Sequence, residues 1–593
     1  PKLVYQFYKA LKCITILDPT CGSGAFLFAA MNILEDLYEA CIIRMRELVT
    51  DNPGNSTNHL KKELDIVDHP SHPNLEYFIY KSIILNNLYG VDIMNEAVEI
   101  AKLRLFLKLI ACVDPDPQHT NYGLEPLPDI DFNIRCGNTL VGFANWDEII
   151  QDIESDAISA SENKEIIPEM CQKVAMAFNI YKEIQLEGYQ NYENFIQAKE
   201  KLLENLKELT ARLDGMLHQY SRKLSFDKWR ETHQPFHWFA EFYEIVHNNV
   251  GFDVIIGNPP YVSYTKKDRV SGISVEDVYK LRGYRTLSTN NLYAYVAERC
   301  MMLVKDNGRI GYIVPIASIS TGGMDKLQKL YTSNNLTQWH SNYAVRPGKL
   351  FADVDMNLTI SLFGKGYKRT NNYVSGYTRW YEDSPSNRPY IFQLLSYVDY
   401  CPESERPNNF PKISLQIELQ ILNKLFSTKI SVNSYLSKYG KPIYYHSGGR
   451  YWRKAILHKL SSHYKEIRVV STEHSTIIAL LNSQLFYWYW IINSNCMDVV
   501  SREVRFMPMF IATKGDGDQF ADLVKELLAN YNTNSQVIDR NGEQISTTET
   551  NYDVKKAKLV LDKIDSLLGE KYMLTYEEID YIINYDIKYR LGK

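Results

Sequence analysis

The sequence predicts an α/β fold: a mostly parallel sheet, interrupted by a helical insert and followed by a region of mixed α+β character. Three observations predict it. Short apolar runs alternate with stretches of helical periodicity over residues 14–110 and recur up to about residue 365. Some runs, such as Val254-Ile255-Ile256, are apolar without interruption, the pattern of strands covered on both faces. After residue 366 the rhythm stops, and the remainder mixes short strands, aromatic clusters and a closing helical region over 552–593.

Taken in order, "TILD" (15–18) is a short strand ending at a Gly-rich turn, and 25–48 has helical periodicity. Residues 51–74, rich in Pro, Asn and His, read as a loop insertion. "LYGVD" (88–92) is a strand and 95–111 an amphipathic helix with Asn95 as its N-cap. "NIRCGN" (133–138), "FDVIIG" (252–257), "RIGYIV" (309–314) and "NLTISLF" (357–363) are further strands. Within 150–235, Leu202, Leu206, Leu209, Leu213, Leu217, Tyr220 and Leu224 step by three or four, which favours a packed helical hairpin over a partner-binding coiled coil. "LLNSQLFYWYWII" (480–492) reads as a buried helix rather than a base-stacking platform. The Pro- and Ser-rich "SPSNRP" and "CPESERPNNFP" mark a boundary. The expected division is an α/β domain of 1–149 and 236–365, a helical insert of 150–235, a linker of 366–410 and a C-terminal domain of 411–593.

With 593 residues the chain is long enough for three or four domains. Hydrophobic residues at 45% and charged residues at 23% exclude a disordered chain. The nine cysteines form no CxxC pair, which argues against a zinc ribbon, an iron–sulfur cluster or a secreted disulfide scaffold and for a reducing cytosol. No metal site and no membrane partner are expected. The chain opens on Pro1 rather than Met, and residues 1–13 read as a helix rather than a signal peptide, so it is expected to be part of a longer protein. The net charge of −5 hides an asymmetry: residues 427–515 hold twelve bases against four acids, a net +8, leaving −13 for the rest. A basic region rich in Tyr and Trp is either a phosphate-backbone binder or a solvated surface.

Three motifs carry chemistry. Asp18-Pro19-Thr20-Cys21-Gly22-Ser23-Gly24-Ala25-Phe26 stands between a strand and a helix, where glycines allow close approach of a ligand and a helix N-terminus favours an anion. A plain tight turn has the same signature. Asp92 ends the next strand, where an acid either accepts from ribose hydroxyls or caps a helix. Asn258-Pro259-Pro260-Tyr261 follows the apolar strand 252–257. Its two prolines fix the backbone and remove two donors, so the Asn258 amide oxygen and the Pro259 carbonyl are left as paired acceptors suited to an exocyclic NH₂, with Tyr261 as a flat face for a planar ring. Ligands of open parallel sheets sit at the carboxyl ends of strands, so the three motifs converge on one edge.

DPTCGSGAF, then GVD, then NPPY, resembles the adenine-N6 DNA methyltransferases that use S-adenosylmethionine, in their gamma arrangement. "PFHWFAEFYEI" (235–245), "NNLYAYVAERCMMLVKDNGRIGYIVP" (290–315), "LLNSQLFYWYW" (480–490) and "INYDIKYRLG" (583–592) are similar to type IIG restriction–modification proteins, to phage-defence methyltransferases of BREX and DISARM systems and to single-polypeptide type I enzymes. The resemblance implies a Rossmann-like methyltransferase sheet with a C-terminal target recognition domain, acting in the bacterial cytoplasm. It implies that Asp18, Pro19, Thr20, Cys21, Gly22, Gly24 and Phe26 hold the cofactor, that Asp92 holds its ribose, and that Asn258, Pro259, Pro260 and Tyr261 are catalytic. Asn138, in "GNTLVG", matches a position near the cofactor adenine or target base, or caps its loop. Phe351 matches an aromatic that joins Tyr261 in stacking on a flipped base, or is a core residue at a strand entry. Arg450, Arg453, Lys454, Arg502 and Arg505 are the expected DNA contacts. Double-stranded DNA is the expected partner, with a nuclease or helicase module elsewhere in the polypeptide or in partner subunits. A methyltransferase for a protein glutamine or an RNA base, and a non-catalytic DNA-recognition subunit, are the competing readings.

Overall fold

The computed structural model describes the chain except residues 53, 70–71, 115–116, 119–126, 156–159, 187–191, 222, 249, 334–335, 368–369, 382–389, 402–409, 449–454, 542–545 and 591–593. Nine strands form its main sheet: β1 (Ile16–Asp18), β2 (Leu88–Asp92), β3 (Ile134–Cys136), β4 (Phe252–Gly257), β5 (Val304–Pro315), β6 (Leu336–Tyr343), β7 (Leu358–Lys365), β8 (Asn372–Thr378) and β9 (Tyr397–Asp399). Their order is β9-β8-β6-β7-β5-β4-β1-β2-β3. The pairs β1–β2, β2–β3, β1–β4 and β4–β5 are parallel, and β8–β9 is antiparallel. The α/β class read from the sequence is what forms.

The strand order reverses at β1. The chain moves outward through β2 and β3, then returns to lay β4 on the other side of β1. Such a reversal opens a crevice beyond the carboxyl ends of the two central strands. β1 is three residues long and buried throughout. The helix Ala25–Asp51 covers it with Leu27, Met31, Leu34 and Tyr38, in one core with Tyr80, Ile83 and Ile84 of the helix Leu75–Asn86. Asn87 ties this layer together: its Oδ1 accepts from Tyr38 Oη at 2.9 Å, and its Nδ2 donates to the carbonyls of Leu11 at 2.9 Å and Ile14 at 2.7 Å. A buried amide with both ends satisfied fixes a single packing arrangement.

Several expectations need correction. Residues 58–67, expected as loop, form the helix Asn58–Val67, which buries Leu60, Leu64 and Val67; the flanking Pro and His residues hid that apolar spacing. The helix Asn95–Ala111 has Met94, not Asn95, as its N-cap, and the Met94 N–H is taken by Asp92 Oδ1 at 2.9 Å. The stretch 366–410, expected as a linker, supplies β8 and β9 to the sheet; its "SPSNRP" and most of "CPESERPNNFP" lie outside the described residues. The insert is helical as expected, through Ala160–Leu186, Tyr192–His218 and Phe226–His233. Leu202, Leu206, Leu209 and Leu213 are buried, but the long helix stops at His218, so Tyr220 is exposed. Among the described residues no helix is long and apolar enough to cross a membrane.

By packing, the chain divides into two compact units: Pro1–Val314 with Lys329–Gln338 and Ile360–Thr370, and Pro315–Gln328 with Trp339–Thr359 and Asn371–Lys593. The second unit contains a small antiparallel sheet of β10 (Leu436–His446), β11 (Ala455–Ile456) and β12 (Tyr464–Val469) in the order β11-β10-β12. Its helix Gln484–Asn493 is buried at every position, as the sequence suggested.

In the first unit, residues 235–242 strap the segment 137–143. Phe236 N–H donates to the Val141 carbonyl at 2.7 Å, and Trp238 Nε1 donates to the Thr139 carbonyl at 3.0 Å. Gly142, at φ +144°, lies so close that a Cβ would stand 2.0 Å from the Phe236 carbonyl oxygen. Gly142→Ala is therefore expected to lower the melting temperature by roughly 5 °C or more, because both conformation and space are denied; differential scanning fluorimetry against the parent checks this.

Candidate active site

The turn after β1 is fastened on both sides. Cys21 N–H donates to the Val91 carbonyl at 2.9 Å, and Gly24 N–H to the Cys21 carbonyl at 2.8 Å. Gly22 and Gly24 have φ of +51° and +80°, a region costly for other residues. Gly22 N–H donates to Asp92 Oδ2 at 2.8 Å, so the end of β2 holds the turn. A Cβ at Gly22 would meet nothing within 4 Å, so the turn fronts open space there. Both Asp92 oxygens serve backbone amides, yet each keeps a second lone pair for a hydroxyl donor.

Asp18, at the tip of β1, is 1% exposed. Its Oδ1 accepts from Thr20 N at 3.1 Å. Burial pushes its carboxyl up to about 7; the Thr20 N–H opposes that rise and the neighbouring Asp92 adds to it. Across from it on β4, a Cβ at Gly257 would stand 2.7 Å from Asp18 Oδ1, so only glycine fits. The residue after Gly257 is Asn258, which sets the NPPY corner directly beside the glycine turn.

Within that corner Asn258 is exposed, Pro259 buried and Tyr261 half-buried. The Pro260 carbonyl is taken by Val262 N–H at 2.9 Å. Among the described residues neither the Asn258 side chain nor the Pro259 carbonyl has a hydrogen-bond partner. Tyr261 Oη donates to the Ile313 carbonyl at 3.1 Å, which fixes its ring, and burial pushes its phenol up. The next residues are braced by 290–292: Tyr264 N–H donates to Asn290, Leu292 N–H to Val262, and Ser263 bridges Asn291. Behind them Tyr264 and Tyr295 share a 2.7 Å hydroxyl bond. The buried Glu298 carboxylate gathers the amides of Arg285 and Thr286 and the Thr286 hydroxyl, shaping the loop before Asn290. Thr139, Trp238, Tyr264, Tyr295 and Glu298 were assigned no role from sequence, although Trp238, Tyr295 and Glu298 lie in the stretches that carried the family resemblance.

Asn138 is buried, its N–H bonded to the Gln234 carbonyl at 2.8 Å and its Oδ1 accepting from Leu140 N at 3.1 Å. Its Nδ2 is buried without a hydrogen-bond partner, though the Tyr279 phenol is close enough for the amide to oppose the rise that burial imposes on that phenol. The Thr139 hydroxyl donates to the Pro19 carbonyl. The structure thus brings Asp18, Pro19, Thr20, Cys21, Gly22, Gly24, Asp92, Asn138 and the NPPY corner to one edge of the first unit. Phe26 is half-buried on the helix that starts there.

The other expected residues belong to the second unit. Phe351 is half-exposed on the loop between β6 and β7, whose ends Asn357 closes by accepting from Val345 N and Tyr377 Oη, each at 2.9 Å. Arg502 points inward: its guanidinium donates to the carbonyls of Ser320 at 2.5 Å and Asn493 at 3.2 Å. Arg505 is exposed. Arg450, Arg453 and Lys454 lie outside the described residues.

Residues 86–345 match the family model of the Eco57I restriction-modification methylase. Over 370 residues, 54% of the chain, the sequence is 30% identical to a putative type II restriction enzyme and methyltransferase, RM.MjaORFECS2P, of Methanocaldococcus jannaschii. Over 86 residues, 14% of the chain, it is 31% identical to the type II restriction enzyme and methyltransferase RM.Eco57I of Escherichia coli. The matches cover 27% and 8% of those relatives, so the chain corresponds to a minor part of each. A solved structure of the type IIL restriction–modification enzyme MmeI in complex with DNA aligns with a TM-score of 0.47 at 12% identity, over 98% of this chain and 73% of that one. The matched stretch contains Asp92, Asn138 and the NPPY corner; the glycine turn precedes it.

A carboxyl raised by burial is neutral at low pH without penalty and costs stability once it ionises. Asp18 therefore subtracts stability progressively as pH rises from about 4 to about 7. Asp18→Asn is expected to remove this component, so that the melting temperature of the parent falls a few degrees further than the variant's between pH 5 and 8 (~1 kcal/mol corresponds to a few degrees). Parallel thermal scans across that range check it.

Proposed function

We propose that this chain is a site-specific DNA methyltransferase that transfers a methyl group from S-adenosylmethionine to the N6 amino group of a flipped adenine, within a bacterial restriction–modification or phage-defence system. The observation that carries the reading is the pair of acceptors at Asn258 and Pro259, left without protein partners beside the glycine turn at the reversal point of a parallel sheet. The Eco57I-type methylase match over 86–345 supports it.

The residues of the glycine turn fit the cofactor. Open space fronts Gly22, Asp92 has lone pairs to spare for ribose hydroxyls, and Asn138 Nδ2 is an unused buried donor. When bound, S-adenosylmethionine supplies an electrophilic methyl carbon on a cationic sulfur. A nearby cation draws a carboxyl such as Asp18 toward its ionised form.

Asn258 Oδ1 and the Pro259 carbonyl each accept one N–H of the adenine amino group, which localises its lone pair. The nitrogen so prepared would take up the methyl group that a bound cofactor supplies, and would lose one proton to solvent afterwards. No side chain acts as a base beforehand. The contribution of the protein is positioning and fixed dipoles. A base inside a duplex is out of reach, so the adenine is extruded, and the Tyr261 ring, anchored at Ile313, replaces part of the lost stacking. The basic stretch 427–515 holds duplex DNA, with Arg450, Arg453, Lys454 and Arg505 as contacts.

Incubation with tritiated S-adenosylmethionine and duplex DNA, RNA or protein, followed by nucleoside analysis, tests the reading. Label is expected in N6-methyladenine of DNA; label confined to protein or RNA refutes it. Asn258→Ala is expected to lower turnover about 10²–10³-fold, the scale of losing one preorganised dipole at the reacting atom, with cofactor affinity nearly unchanged.

A further inference from the structure

β10 carries an irregularity that the methyl-transfer reading does not use. Leu436 and Lys441 both pair with Val469, so residues 437–440 are looped out of the ladder as a wide bulge. Tyr439 stands at its tip and is 99% exposed, more than any other large apolar or aromatic side chain described. Lys438 and Lys441 on either side are exposed. Single exposed apolar side chains are ordinary on a protein surface. A fully exposed aromatic ring on a rigid tip between two cations is not, because folding gains nothing from it there.

The tip is built to be rigid. A Cβ at Gly440 would stand 2.2 Å from the Val469 carbonyl oxygen, so glycine alone lets the bulge press onto β12. Arg468 donates to the Gly440 carbonyl at 3.4 Å and is itself held by Glu466 at 2.7 Å. Tyr439 N–H is taken by Ser437 Oγ at 3.3 Å, and Val470 N–H by the Tyr435 carbonyl at 2.9 Å. Ile443, Ile467 and Val469 of the same ladder are buried in the core. Among the described residues Lys438 and Lys441 make no ion pair.

We propose that Tyr439, flanked by Lys438 and Lys441 on the bulge of β10, is a DNA-binding wedge whose ring packs against the base edges and sugars of a duplex groove while the two lysines neutralise phosphates on either side. This rests on the reading of the chain as a DNA-acting protein and adds a contact to it. Charge complementarity selects the partner: the surrounding stretch 427–515 carries a net +8. A rigid presentation means that little ordering is lost on binding.

The test uses the full chain, a fluorescein-labelled duplex of mixed sequence and anisotropy titrations at several salt concentrations. Tyr439→Ala is expected to weaken binding roughly tenfold at every salt concentration, and Tyr439→Phe to bind within about twofold of the parent. Lys438→Ala and Lys441→Ala are each expected to reduce the slope of log affinity against log salt by about 1, whereas Tyr439→Ala leaves that slope unchanged. Full exposure of the ring predicts an unaltered melting temperature for Tyr439→Ala, which separates contact from folding. Parent-like affinity of Tyr439→Ala overturns the wedge, as does a loss in Tyr439→Phe equal to that in Tyr439→Ala. A parent that binds and methylates DNA while Tyr439→Ala is unchanged overturns the wedge alone; a parent that binds no duplex overturns the DNA reading as well.

Discussion

A buried carboxylate with a glycine pressed against it governs the first unit. Asp18 ends β1 and Gly257 ends the neighbouring parallel strand β4, and no side chain fits between them. The corner that follows Gly257 therefore begins within reach of the turn that follows Asp18. Burying the acid costs stability, as its raised protonation shows. Acids are rarely left in such a place unless a cation or donor compensates. The strained site is held by what surrounds it: Asp92 grips Gly22, Thr139 grips Pro19 and Thr20 grips Asp18 itself.

Around that contact stand two braces built on different physics. On one side Phe236 and Trp238 clamp the segment 137–143 with aromatic bulk, and Gly137 and Gly142 make room for the clamp. On the other, Glu298 and the Tyr264–Tyr295 pair hold the loop and the strand-like bridge that follow the NPPY corner. The first brace combines aromatic bulk with two hydrogen bonds, and the second is a network of hydrogen bonds. Together they leave the Asn258 and Pro259 acceptors without protein partners among the described residues, while the Pro260 carbonyl is tied back. Preorganisation of this kind is what a dipole-based site requires, since dipoles that must reorient during reaction contribute little.

The second unit follows a different plan. Its wholly buried aromatic helix Gln484–Asn493 is a packing element, and Lys412, itself fully buried, donates to the carbonyls at the end of that helix. The C-terminal segment is fastened by Arg379, which pairs with Asp586 at 2.8 Å and whose carbonyl accepts from Tyr589 at 2.9 Å. Lys438 and Lys441 of β10 and Lys465 and Arg468 of β12, by contrast, stay at the surface.

From sequence alone came the order of the central strands' motifs, the glycine turn, the NPPY corner and the burial of 480–492, because each depends on local properties: apolar runs, φ-permissive glycines and consecutive prolines. Where polarity is buried, local patterns mislead. β6 reads as a polar stretch, yet Asn342 and Ser341 are buried with hydrogen bonds to Ser375 and Tyr397, more than thirty residues away. The same long-range satisfaction turned the supposed linker into β8 and β9 and drew Arg502 inward to the carbonyls of Ser320 and Asn493. Which residue types the site contains was therefore written in the chain. Which of their polar atoms remain unpaired, and so available for chemistry, was decided only when distant segments met, since a hydrogen bond between residues far apart leaves no trace in the spacing of either.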